Sequence, residues 1–143
     1  MIIRKMEERD LSAVSEMECS IFSQPWRKTD FMDSMHNPQN IYLVVEEQGE
    51  IAAYCGLWGV ADEGQINNVA VKKTFRGRGI GYAMLKALIE LGQRQGLGAF
   101  TLEVRAGNLS AIALYHKLGF CDAGVRKNFY EAPTEDALIM WLR

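Results

Sequence analysis

The chain has 143 residues, 48% hydrophobic and 24% charged, and its 16 basic against 18 acidic side chains leave a formal net charge of -2. That length predicts one domain over residues 1–143 that buries roughly 68% of its unfolded surface, enough for a core without disulfide or metal staples. A slightly acidic balance lacks the positive field that nonspecific nucleic-acid binding uses, so no nucleic-acid partner is expected.

Met1–Asp10 lacks the apolar stretch of a secretory leader, and the longest uncharged apolar run, Ile51–Ala61, is about half of what spans a bilayer. No membrane partner and a cytoplasmic location are therefore expected. Cys19, Cys55 and Cys121 are odd in number and widely spaced, with no CxxC, and His36 and His116 are isolated. No metal is expected, and the thiols read as buried and reduced.

In chain order, Ile2–Met6 predicts a short strand. Asp10 is the expected N-cap of a helix that carries Leu11, Val14, Met17 and Ile21 on one face. Ser23-Gln24-Pro25-Trp26 breaks it, and a second helix through Phe31 and Met35 ends before Asn37-Pro38. Ile41–Glu47 and Ile51–Val60, joined at Gln48-Gly49, predict a hairpin; Glu63-Gly64 predicts the next turn and Gln65–Val71 a third strand. In that strand Ile66 has the opposite parity from Val69 and Val71, which requires either a sheet covered on both faces or a bulge.

Ile80–Gln95 places Met84, Leu88 and Leu91 on one face, with Gly96 as its stop. Ala99–Arg105 alternates as a strand: Phe100, Leu102 and Val104 on one side, Thr101, Glu103 and Arg105 on the other. Asn108 caps a helix over Leu109–Leu118 that Gly119 ends, and Phe120–Arg126 and Ala137–Leu142 supply two last strands. The result is a mixed α+β sheet.

Lys72-Lys73-Thr74-Phe75-Arg76-Gly77-Arg78-Gly79-Ile80-Gly81 joins a strand to a helix and sets four positive charges within seven residues. Alternating glycines let backbone approach a ligand, and the helix start offers free N–H groups and the positive end of its dipole. That combination suits an anion, most naturally a phosphate or pyrophosphate; the alternative reading is a solvated Gly/Arg turn between a strand and a helix. A Walker loop would need Gly-Lys-Ser/Thr, and a dinucleotide fingerprint would need glycine where Tyr82 stands, so neither fits.

Arg76-Gly77-Arg78-Gly79-Ile80-Gly81 resembles the R/Q-x-x-G-x-G/A motif of the GNAT superfamily of N-acetyltransferases. The likeness continues through Leu102-Glu103-Val104-Arg105-Ala106-Gly107-Asn108, the helix to Leu118-Gly119-Phe120, and Glu135-Asp136-Ala137-Leu138-Ile139-Met140. Together these are similar to the RimI branch, the ribosomal-protein-alanine N-acetyltransferases, with Pro25-Trp26 in support. Two departures are Phe129 before Tyr130, where that branch commonly carries Tyr-Tyr, and a looser likeness before Ile66.

The resemblance implies a GNAT fold: a mostly antiparallel mixed sheet of six to seven strands with helices on both faces. It implies acetyl-coenzyme A as cosubstrate, with the loop Arg76, Gly77, Arg78, Gly79, Ile80 and Gly81 cradling the pyrophosphate. Val69, Ala70 and Val71 would bond the pantetheine and acetyl groups, and Asn108 would add a contact. It further implies a protein N-terminus as acceptor, in a small-subunit ribosomal protein beginning with alanine.

Amine acetylation needs a neutral nucleophile, and an α-amine with a reference pKa of about 7.7–8.0 is largely protonated at pH 7. The resemblance assigns the general base to Glu103, directly or through water, although the residue by itself reads as a solvated carboxylate. Coenzyme A leaves as a thiolate, and the resemblance assigns its proton to Tyr115, whose alternative is a packed tyrosine with a bonded hydroxyl. His116 is given no catalytic role. The same chemistry on a lysine or small amine, and a non-catalytic acyl-coenzyme A-binding module, are the alternatives.

Overall fold

Seven strands build one sheet in the computed structural model, which describes residues 1–143. They are β1 (Ile2–Lys5), β2 (Ile41–Glu47), β3 (Glu50–Val60), β4 (Glu63–Val71), β5 (Ala99–Arg105), β6 (Cys121–Tyr130) and β7 (Glu135–Leu142), in the spatial order β1-β2-β3-β4-β5-β7-β6. Only β4 and β5 run parallel; the other neighbours are antiparallel. Four helices, α1 (Leu11–Ile21), α2 (Lys28–Met35), α3 (Ile80–Arg94) and α4 (Leu109–Lys117), complete the expected mixed α+β fold. No helix is long and apolar enough to cross a membrane.

The helices divide between the two faces. Leu11, Val14 and Met17 of α1 and Phe31 of α2 pack on Tyr42, Val44, Tyr54 and Ala70. Ile80, Met84, Leu85 and Leu88 of α3 pack on Leu43, Cys55, Leu57 and Phe100, where Tyr115 of α4 joins them. Successive residues of a strand point to opposite faces, so β2 and β3, covered on both, read as unbroken apolar runs.

Several local expectations change. Asp10 does not cap α1: it ends a 3-10 turn, and its carboxylate, only 4% exposed, accepts two bonds from Arg4 and one from the Glu7 N–H, all at 2.8 Å. A buried carboxylate is best satisfied by a bidentate guanidinium, and that partner wins over the helix N–H groups. Glu63-Gly64 is not a turn but the start of β4; the chain reverses just before it, with Ala61 at φ +55°. Glycine stands at 64 because a Cβ there would lie 2.9 Å from the Phe100 ring. Cys55 is buried, whereas Cys19 and Cys121 are exposed, since α1 and the edge strand β6 each leave one side uncovered. His116 is exposed as well, paired at 2.7 Å with Asp122.

The parity conflict in β4 is a bulge. Gly56 pairs with Asn68 while Leu57 pairs with Ile66, which leaves Asn67 as the extra residue. The reset lets Ile66, Val69 and Val71 all meet the α3 face and sends Ala70 to the α1 face.

Beyond the bulge β4 and β5 part. They pair only from Glu63↔Ala99 to Ile66↔Leu102, although β4 runs on to Val71 and β5 to Arg105. An open wedge between two strands of one sheet is left.

Candidate active site

Lys72 N–H donates to the Ala52 carbonyl at 2.8 Å, which sets the hydrogen-bonding phase of β4 against β3. Alternation then turns the Ala70 amide toward β3 and those of Val69 and Val71 toward the wedge. Arg76 Nε donates to the Val71 carbonyl at 2.9 Å, as that orientation requires. Of the three residues expected to meet the cosubstrate, Val69 and Val71 offer free N–H groups, and Ala70 contributes packing.

The loop after β4 ends at the start of α3. Gly79 is the helix N-cap and has no side chain to occupy the first amides, so Ile80, Gly81 and Tyr82 present uncapped N–H groups; the first backbone bond is Ala83 N–H to Gly79. Gly77 and Gly79 sit at φ +79° and +77°, and a Cβ on either would meet nothing within 4 Å, so their need is conformational and the space before the amides stays open. Gly81 answers a different demand: a Cβ there would press Leu114 at 3.3 Å and Val71 at 3.6 Å, where α3, α4 and β4 converge.

Not all four charges of the loop are available. Lys72 Nζ is bound by Glu50 at 2.7 Å, whereas Arg78 rests 5.2 Å over the ring of Phe75, which anchors the loop in the core at 4% exposure, and is paired with no carboxylate. Arg76, braced through Nε, keeps its two terminal nitrogens free. Lys73, Arg76 and Arg78 with the uncapped amides suit a pyrophosphate, and no residue set in the fold resembles a metal site.

Glu103 and Tyr115 come from opposite sides of the sheet. Glu103 is on the β5 face away from Phe100, Leu102 and Val104, with a side chain 32% exposed and Arg126 Nε 3.6 Å from its carboxylate. Tyr115 projects from α4 into the α3-side core, its ring 5.8 Å from Phe120, and no protein group hydrogen-bonds its hydroxyl. Burial, with Cys55 and Tyr130 adding to it, pushes that phenol upward, so it keeps its proton at neutral pH.

Tyr130 lies within electrostatic reach of both. Burial, then Glu103, raises its phenol to about 12, while Tyr130 in turn raises Tyr115. It ends β6, whose register slips so that four steps from Arg126 to Tyr130 face two from Ala137 to Glu135. The strand expected over Phe120–Arg126 therefore runs four residues further and carries Tyr130 against Arg105; the resemblance marks Phe129-Tyr130 as acceptor-facing, but the sequence assigns Tyr130 no role. The aromatic pair Phe129-Tyr130 beside a turn is the signal that could have found it.

Asn108 caps α4, its Oδ1 accepting from the Ala111 N–H at 3.3 Å. On the α1 side, Glu18, 4% exposed, accepts from Tyr54 Oη at 2.6 Å and from the Trp26 N–H at 3.0 Å, tying the α1–α2 segment to β3. Trp26 stacks 6.0 Å from Trp58, which donates to Tyr42 Oη, and that hydroxyl donates to Asn67 at 3.2 Å. The Asn108 cap is the one the sequence predicts; the links made by Glu18, Trp26, Trp58 and Tyr42 are not legible there.

Residues 8–120 match the Acetyltransferase (GNAT) family. A Bacillus subtilis (strain 168) relative is 41% identical over 141 residues, covering 98% of this chain and 93% of its own length. The Escherichia coli (strain K12) [ribosomal protein bS18]-alanine N-acetyltransferase is 35% identical over 142 residues, with 98% and 95% of the two chains covered. The crystal structure of the ribosomal-protein-S18-alanine N-acetyltransferase from Escherichia coli superposes with a TM-score of 0.90 at 34% identity, over 99% of this chain and 92% of that one. A Salmonella typhimurium acetyltransferase structure containing its cofactor acetyl-CoA has a TM-score of 0.87 at 22% identity, over 100% and 93%.

Proposed function

Because this chain belongs to the acetyltransferase (GNAT) family, we propose that it moves the acetyl group of acetyl-coenzyme A to the α-amine of a protein N-terminus, an alanine of a small-subunit ribosomal protein. The observation that carries this reading is the wedge between β4 and β5, which opens beside the uncapped start of α3. It gives an extended thioester a backbone edge along its length and a phosphate cradle at its end.

Bound there, acetyl-coenzyme A supplies an activated acyl group. Arg76, Gly77, Arg78, Gly79, Ile80 and Gly81 hold the pyrophosphate, and the Val69 and Val71 amides hold the pantetheine arm and the carbonyl oxygen on which negative charge grows. Asn108 commits its side-chain oxygen to the α4 cap, which leaves its amide NH2 for a contact to the cosubstrate. Glu103, reached from the opposite face, takes the proton of the attacking amine, directly or through one water. Tyr115 faces the departing sulfur.

A thiol with a reference pKa near 8.5 is a stronger acid than a buried phenol, so complete proton transfer from Tyr115 runs uphill unless the wedge raises the thiol too. A hydrogen bond from Tyr115 to the thiolate lowers the barrier in either case. Attack is direct: the only buried thiol, Cys55, is itself pushed up by burial and is a poor nucleophile.

Thiol release measured with alanine-starting peptides, internal-lysine peptides and polyamines tests the acceptor. The alanine α-amine should be turned over best. Equal or better turnover of lysine or polyamine overturns the N-terminal assignment, and cofactor binding without thiol release on any amine overturns the enzyme.

A further inference from the structure

Arg105, the last residue of β5, spends its guanidinium on one neighbouring turn. Nη1 donates to the Pro133 carbonyl at 3.0 Å and to Glu135 Oε1 at 3.2 Å, and Nη2 donates to the Glu131 carbonyl at 3.1 Å. Its flat face lies 4.5 Å from the centroid of the Tyr130 ring. Glu135 completes the arrangement by accepting the Gly107 N–H at 2.7 Å. One side chain therefore joins the end of β5 to the tip of the β6–β7 hairpin and covers one face of Tyr130.

We propose that Arg105 is a positioning residue for the amine acceptor: it seats Tyr130 beside Glu103 and so fixes the acceptor wall without touching the cosubstrate. This rests on the assignment of Glu103 as the base. Arg105 and Glu103 share the polar side of β5, and the row Arg105, Ala137, Arg126 crosses three strands with a fully buried alanine between two arginines. The β5–β7 ladder ends at Arg105↔Ala137, with the Ala106 N–H to the Asp136 carbonyl at 3.0 Å just beyond it. Past that point the Arg105 guanidinium and the Glu135 carboxylate are the side chains that tie the hairpin tip to the end of β5.

The chemistry asks for arginine and not merely for a positive charge. Two carbonyls, a carboxylate and an aromatic face are met at once by a planar fork, and an ammonium group can meet one or two of them. A pure staple would affect stability and both substrates alike. A positioning role affects the acceptor alone.

The test compares Arg105→Lys, Tyr130→Ala and the double variant with the wild-type protein, using an alanine-starting peptide and acetyl-coenzyme A. Arg105→Lys should lower kcat/KM for the peptide roughly tenfold or more, as expected when a wall beside the reacting atoms shifts. KM for acetyl-coenzyme A should stay within about twofold, and in the Tyr130→Ala background Arg105→Lys should add almost nothing, because it acts through that ring. Glu135→Gln, which leaves the two carbonyl bonds and the stacking intact, should cost less than about threefold. Parallel losses for both substrates, additive effects with Tyr130→Ala, or wild-type peptide kinetics in a folded Arg105→Lys protein each overturn the proposal. A wild-type protein that acetylates no amine overturns the functional reading and this proposal together, whereas wild-type turnover with an unsplit Arg105→Lys overturns this proposal alone.

Discussion

Gly79→Ala separates what the loop contributes to folding from what it contributes to binding. Gly79 has φ +77° and Gly96, just past the other end of α3, has φ +95°, and a Cβ at either meets nothing within 4 Å. Each substitution therefore forces an L-residue into the left-handed region without a clash, at a cost of about 1–2 kcal/mol. For a chain of this size that lowers Tm by about 3–8 °C. The two should be equally destabilised.

Binding should distinguish them. The two glycines are separated by the length of a 15-residue helix, about 22 Å, and only Gly79 lies in front of the uncapped amides. A methyl there displaces an anion from one charge-assisted N–H bond worth about 1.5–3 kcal/mol, so Kd for coenzyme A should rise about 10–150-fold. Gly96→Ala should bind as the wild type does. Calorimetric titration with coenzyme A, run beside thermal unfolding of both variants, decides it: equal Kd values with equal Tm losses would refute the cradle.

Glu103→Gln should depress turnover most below about pH 8, where the α-amine is protonated, and little above it; a uniform loss across pH would remove the base role. Tyr115→Phe should lower kcat while leaving KM for acetyl-coenzyme A nearly unchanged, and because burial raises that phenol the wild-type rate should show no alkaline decline from it up to about pH 10. Arg76→Ala should weaken coenzyme A binding at low salt, with the difference from wild type shrinking as ionic strength rises; a salt-independent loss would point to the Val71 carbonyl brace as its main role. Tyr54→Phe strips the buried Glu18 carboxylate of one of its two donors and should cost about 1.5–3 kcal/mol in urea unfolding; a loss below about 0.5 kcal/mol would mean that another donor takes the place of the hydroxyl.

Amino-acid order alone determined most of the elements and the chemistry of the loop proposed to hold the cosubstrate. Ala99–Arg105 is a strand to the residue, the bulge in β4 is legible as a break in alternation at Ile66, and glycine spacing marks the basic loop before α3 from the sequence alone. These are local properties: periodicity, φ demands and unpaired amides depend on neighbours within a few positions.

What depended on tertiary structure was the set of contacts between parts distant in sequence that meet only across the sheet. Asp10 lost its expected cap to Arg4, Gly64 proved to be a packing glycine through Phe100, and Tyr130 meets the Arg105 guanidinium at the end of a strand whose register slips. Each outcome is a competition for a hydrogen bond or a volume, and for Gly64 and Tyr130 the competing segments lie tens of residues apart. Composition set the net charge at -2, whereas the fold decided which charges remained free, pairing Lys72 with Glu50 and leaving the terminal nitrogens of Arg76 open beside the start of α3.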